Sequence, residues 1–188
     1  AGVQCGPESG YACANPDGTT SFVVTSNQPA GNTAVLTYPA MQKNFTGNPP
    51  LSGFKSVTST FSEISPGPVG DYEVAWDCWF NDYANELMIW VDTYKQVPGG
   101  TKVASGVTLS GHTWDVWYGS SSGYLAFKST STLTAGTIDL LEIFKYATTK
   151  GWLPATSTVT QLSFGVEVCS TDAKDATWTV DDYSLIAN

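Results

Sequence analysis

Short segments in which apolar and polar residues alternate recur along the chain, separated by clusters of Gly, Pro, Asn and Ser. A period of two sends successive side chains to opposite faces, so each segment predicts a β-strand. Strands are expected over Ser21–Thr25, Ala34–Tyr38, Ser56–Glu63, Asp71–Phe80, Glu86–Tyr94, Val103–Leu109, His112–Gly119, Tyr124–Thr130, Val159–Ser170 and Thr177–Leu185. Many short strands with turn signals between them predict a β-sandwich or jelly roll. The Pro-rich stretches Asn48–Leu51 and Ser65–Val69 read as connections, not linkers. With 188 residues and no longer repeat, one domain spanning 1–188 is expected.

One segment departs from the alternation. Thr137–Lys150 places Ile138, Leu141, Phe144 and Tyr146–Ala147 near helical spacing. Thr137 is the expected N-cap, Asp139 suits the first turn, and Gly151 stands where a terminating glycine belongs. The prediction is one amphipathic helix packed on the outside of a sheet.

Parity then assigns directions to the polar residues. In Gln161–Ser170, Leu162, Phe164, Val166 and Val168 share the core face, so Glu167 projects from the other. Leu87, Ile89 and Val91 likewise leave Glu86, Met88 and Trp90 together on the opposite face. Along Asp71–Phe80, Glu73, Ala75, Asp77 and Trp79 share one side. Three strands thus each present a carboxylate away from the apolar side, two of them beside aromatic rings. Aromatic faces pack on the CH surfaces of sugars, and glycosidic cleavage needs two carboxyl groups flanking the bond. An acid on a strand is more often only a solvated surface residue, so parity alone does not establish catalysis.

Composition narrows the partners. Hydrophobic residues make up 41% of the chain and aromatics 13%, which excludes disorder. The net charge is −9 and all eight bases are lysines. Without arginine the chain is a poor phosphate reader, so no nucleic-acid partner is expected, and the negative charge disfavours an anionic membrane surface. No apolar run is long enough for a membrane-spanning helix. An uncharged substrate suits it better. Four cysteines, with Cys5 and Cys13 close together, suggest a local disulfide, two free thiols being the alternative. The start lacks a signal-peptide pattern, and the chain reads as the mature form of a secreted, extracellular protein. Asn44-Phe45-Thr46 is a glycosylation sequon.

Three motifs in order carry a resemblance. Asn85-Glu86-Leu87-Met88-Ile89-Trp90 resembles the motif of glycoside hydrolase family 12 that contains the nucleophile. Ser163-Phe164-Gly165-Val166-Glu167 resembles the segment bearing its acid/base, and Trp76-Asp77-Cys78-Trp79 the strand whose aspartate bonds the nucleophile. Tyr38-Pro39, Pro98-Gly99-Gly100 and Gly111–Trp117 agree as well, so the resemblance runs from about Leu36 to Leu185.

The resemblance implies a jelly roll of two antiparallel sheets, with a concave cleft and one helix on the convex side. It implies retaining endo-hydrolysis of β-1,4-linked glucans, with Glu86 as nucleophile, Glu167 as acid/base and Asp77 holding Glu86. Trp79, Met88, Trp90 and Pro98 are the expected substrate contacts. No cofactor or metal is called for, and a monomer is expected. The family's Asn-Asn-x-Trp segment is missing, so Ala1–Asn32 either lost that region or replaced it with a different structure.

Other chemistry finds less support. His112 is the one histidine and begins a predicted strand after Ser110-Gly111, a turn or surface position. Cys78 and Cys169 follow no metal or disulfide pattern and stay unassigned. Most of the seven tryptophans belong in the core, with Trp79 favoured for the cleft. Asp172, Asp175, Asp181 and Asp182 read as solvated turn or edge positions. The rival from another class is a non-catalytic glucan-binding sandwich, which would not need paired acids.

Overall fold

A computed structural model of the chain describes residues 21–188. Cys5 and Cys13 lie outside the described residues, as does most of Ala1–Asn32. Among the described residues, eleven strands form two sheets. They are β1 Phe22–Ser26, β2 Ala40–Asn44, β3 Val57–Ile64, β4 Asp71–Phe80, β5 Asn85–Tyr94, β6 Thr101–Leu109, β7 His112–Gly119, β8 Tyr124–Ser129, β9 Ala135–Asp139, β10 Val159–Ser170 and β11 Ala176–Ala187. The smaller sheet runs β1-β11-β3-β9, and the larger β2-β10-β4-β5-β8-β7-β6. A 3₁₀ turn, Leu51–Gly53, precedes β3.

The core lies between the sheets, on the faces that parity assigned. Leu162, Phe164, Val166 and Val168 of β10 meet Phe61 of β3 and Tyr183 of β11. Phe164 stacks on Tyr183 with ring centres 5.4 Å apart. Trp76 lies edge-on to Phe61 and donates its indole N–H to Ser59 Oγ at 2.9 Å, so burying it leaves no donor unpaired. Trp76, Trp114 and Trp178 are fully buried, as expected of core tryptophans.

The expected strand Ala34–Tyr38 does not form. Its backbone touches β10 through Leu36 N–H to Val168 O and Val168 N–H to Thr37 O. Pro39 then interrupts the ladder, because proline has no N–H to offer. Regular pairing resumes only at β2. The helix also starts later than predicted. Thr137 belongs to β9, opposite Thr60 of β3, and its hydroxyl meets that of Thr60 at 2.9 Å. Asp139 is the N-cap, accepting from Glu142 N–H at 3.0 Å, and α1 spans Leu140–Thr149. Gly151 adopts the left-handed conformation (φ 71°) expected of a terminating glycine. Apolar residues of α1 pack on the core face of the larger sheet, Phe144 against Phe80 and Tyr146 against Phe127.

One pairing departs from the antiparallel expectation: β5 and β8 run parallel. From β5 the chain passes to the far edge of the sheet and then meanders back through β6, β7 and β8. The even number of reversals from β6 leaves β8 aligned with β5. The connecting residues 95–100 must therefore return along the length of the sheet, and they do so over the face opposite the core. Gly100 is required there, since its φ is 81° and a Cβ would lie 2.6 Å from the Tyr118 backbone.

Candidate active site

The face of the larger sheet turned away from the core carries the carboxylates, and register fixes their layout. Reading across β10, β4, β5 and β8, one row holds Gln161, Trp79, Glu86 and Tyr124. The next holds Ser163, Asp77, Met88 and Ala126, and the third Gly165, Ala75, Trp90 and Lys128. A bulge in β5 after that row brings Glu167 and Glu73 level with Thr93.

Glu86, Glu73 and Glu167 line one cavity of about 290 Å³ together with Met88, Trp90, Tyr124 and the crossing residues Gln96, Val97, Gly99 and Gly100. Met88 and Trp90 are nearly inaccessible and form its floor, where the Trp90 indole N–H points at the Met88 sulfur at 3.4 Å. Lys128 donates to Gln96 O at 2.9 Å, tying the crossing segment to the sheet beside Trp90. Pro98 is buried, and its neighbours Val97 and Gly99 face the cavity instead. Trp79 is half-buried at the cavity's flank, and its indole N–H donates to Asp77 Oδ2 at 2.7 Å.

Burial governs the electrostatics. Desolvation, reinforced by the charge of Glu167, raises the Glu86 carboxyl to about 7. Asp77 is pushed well above the usual carboxylate range by burial and then by Glu86 and Glu167, with the Trp79 bond working against the rise. Its Oδ1 is buried with no donor, which suits a protonated carboxyl close to Glu86. Glu167 is raised by burial, and the neighbouring Glu73 works against that rise. Glu73 is raised well above its ordinary value by burial and then by Glu167. Carboxyl groups crowded in this way titrate as a set and retain protons where isolated acids would be ionised.

The structure thus brings Glu86, Glu167, Asp77, Met88 and Trp90 together, sets Trp79 at the flank and turns Pro98 away. Glu73 shares the parity of Asp77, but sequence gave no sign that it lies directly opposite Glu167. Tyr38 and Tyr124 were also missed. The Tyr38 hydroxyl donates to Ala75 O at 3.1 Å under the acids, and Tyr124 stands level with Glu86. Cys78 is in the core and Cys169 on the site's side of β10, so the two free thiols lie on opposite faces of the sheet.

Comparison with known proteins gives a consistent picture. The family model described as Glycosyl hydrolase family 12 matches residues 8–188. Endoglucanase A of Aspergillus kawachii is 35% identical over 111 residues, covering 55% of this chain and 45% of that protein. The chain therefore spans less than half the length of this curated relative. Among solved structures, the fold is similar to the xyloglucanase domain of NopAA, a type three effector from Sinorhizobium fredii in complex with cellobiose. That match has a TM-score of 0.80 and 24% identity over 89% of this chain and 82% of the other. Endoglucanase cel12A from Rhodothermus marinus matches with a TM-score of 0.80 and 24% identity, over 90% and 82% of the two chains.

Proposed function

The chain belongs to glycosyl hydrolase family 12, and we propose that it is an endo-acting, retaining hydrolase of β-1,4-linked glucans that works as a secreted monomer. The observation that carries the reading is the shared cavity: Glu86 and Glu167 come from strands two apart in the sheet and line one depression floored by Trp90 and Met88. An uncharged polymer lying along this face would place a glycosidic bond between the two carboxyls. The neighbouring endoglucanases and xyloglucanases support the substrate class.

In this mechanism Glu167 gives its proton to the leaving oxygen while Glu86 attacks the anomeric carbon and forms a glycosyl-enzyme. Glu167, now ionised, takes a proton from water as that water attacks the same carbon and releases Glu86. Burial keeps a proton on the cluster for the first step. A protonated Asp77 beside Glu86 orients the nucleophile and donates to the carboxylate freed at the end.

The test is reducing-end release from mixed-linkage glucan, xyloglucan and carboxymethylcellulose by the wild type, Glu86→Gln and Glu167→Gln. Loss of about a thousandfold or more in both variants, some 4 kcal/mol in the barrier, is expected. An aryl glucoside oligomer with a good leaving group should need Glu86 but bypass much of the Glu167 requirement. Binding without release by the wild type would leave a glucan-binding sandwich instead.

A further inference from the structure

The turn joining β4 to β5 presents an aromatic ring that the catalytic arrangement does not use. Residues Asn81, Asp82 and Tyr83 are all left-handed, with φ of 55°, 53° and 66°. Asn and Asp tolerate this conformation, but a tyrosine does so only under restraint. The restraint is visible. Asn81 exchanges hydrogen bonds with Thr158 through N–H to O at 3.0 Å and N–H to Oδ1 at 2.9 Å, and its amide also donates to Ser157 Oγ at 3.1 Å. Asp82 N–H donates to Thr160 Oγ1 at 2.9 Å. The pinned Asn81 and Asp82 hold Tyr83 in a backbone conformation that tyrosine rarely adopts.

That side chain is among the exposed large hydrophobics, 53% accessible. Its ring lies 5.7 Å from that of Trp79, and its hydroxyl accepts from Gln161 Nε2 at 3.4 Å. Trp79 and Gln161 share the row of Glu86 on the open face of the sheet, so the Tyr83 ring extends that row outward. We propose that Tyr83, backed by Trp79, is a stacking platform for a pyranose ring of the glucan chain beyond the cleaved bond, on the Glu86 side of the cleft. An exposed aromatic face suits the CH surface of a sugar, and the Gln161 amide and tyrosine hydroxyl suit its rim.

The proposal rests on the glucan reading of the same site, and binding separates the two. Cellohexaose affinity is measured by calorimetry in the Glu86→Gln background, with and without Tyr83→Ala, Tyr83→Phe and Tyr83→Asn. Tyr83→Ala is expected to weaken binding about tenfold, and Tyr83→Phe to keep most of the affinity. Tyr83→Asn should lose affinity while raising the melting temperature, because asparagine accepts the left-handed backbone. In the active enzyme, Tyr83→Ala should raise KM and shift the bonds cut in cellohexaose. Unchanged affinity in Tyr83→Ala, or no cellohexaose binding at all, overturns the platform. Tyr83-dependent binding without hydrolysis by the wild type would overturn the catalytic reading alone.

Discussion

Glu73 and Glu167 face each other directly across β4 and β10, both buried. Burial raises both carboxyls, Glu167 pushes Glu73 up further, and Glu73 works against the rise of Glu167. Two buried carboxyl groups in one site favour holding a proton over ionising together. Glu73 is thereby placed to hold a proton beside the group that must itself give one up and take one back. Glu73→Met, which removes the carboxyl, should move the basic limb of the kcat/KM profile upward by about one pH unit. Glu73→Gln, which keeps an N–H donor, should stay close to the wild type. A basic limb unmoved in Glu73→Met would show that the pair does not set the acidity of Glu167.

Buried acids also make stability depend on pH. Ser65 Oγ lies 2.8 Å from Glu63 Oε2 and 2.5 Å from Asp92 Oδ2, yet a hydroxyl has one proton to share. Burial raises Glu63 from 4.5 to about 7, the Ser65 bond opposes the rise and Asp92 adds to it. The unfolded chain loses this proton first as pH increases, so it binds fewer protons than the folded protein between those values. Stability should then fall from about pH 4.5 to about pH 7, and Glu86 acts in the same direction. The melting temperature should be higher at pH 5 than at pH 8, with the difference reduced in Glu63→Gln. A melting temperature that rises across this window would contradict the assignment.

Trp79 supports Asp77 through a single N–H. Trp79→Phe keeps the ring and removes the donor, leaving Asp77 Oδ2 buried without its partner. A cost of about 1–3 kcal/mol is expected in urea unfolding. Activity should fall by less than in Glu86→Gln, because the nucleophile itself is untouched. Loss equal to that of Glu86→Gln would make the indole more than a support.

Gly165 lies in the row between Glu167 and Ser163, where β2 and the Pro39 turn approach β10 closely. A Cβ there would sit 2.2 Å from Pro39 O and 2.6 Å from Ala40 Cβ. Backbone blocks the new atom, so Gly165→Ala should destabilise the fold by roughly 1–3 kcal/mol or more. Hydrogen exchange should rise first in β2. Uniform protection in the variant would mean the edge strand adapts.

Much of this was legible in the residues themselves. Alternation placed Glu86, Asp77 and Glu167 off the core face, because side-chain direction in a strand follows local backbone geometry alone. The same rule assigned Leu87 and Phe164 to the core. The limits of Asp71–Phe80, His112–Gly119 and Val159–Ser170 matched the strands observed. Where local signals competed, the sequence misled. Thr137 has cap chemistry, but pairing with Thr60 keeps it in a strand. Ala34–Tyr38 alternates, but Pro39 withholds the N–H that a ladder needs.

What sequence could not supply is which strands become neighbours. Glu167 is opposite Glu73 because β10 inserts beside β4, a pairing between residues 94 positions apart. The crossing of 95–100 over the open face follows from the parallel pairing of β5 with β8, and it is this crossing that encloses the cavity. The raised pKa values have the same origin, since burial depends on what packs over a carboxyl and not on its flanking residues. Direction was local; proximity, enclosure and protonation were decided by the tertiary fold.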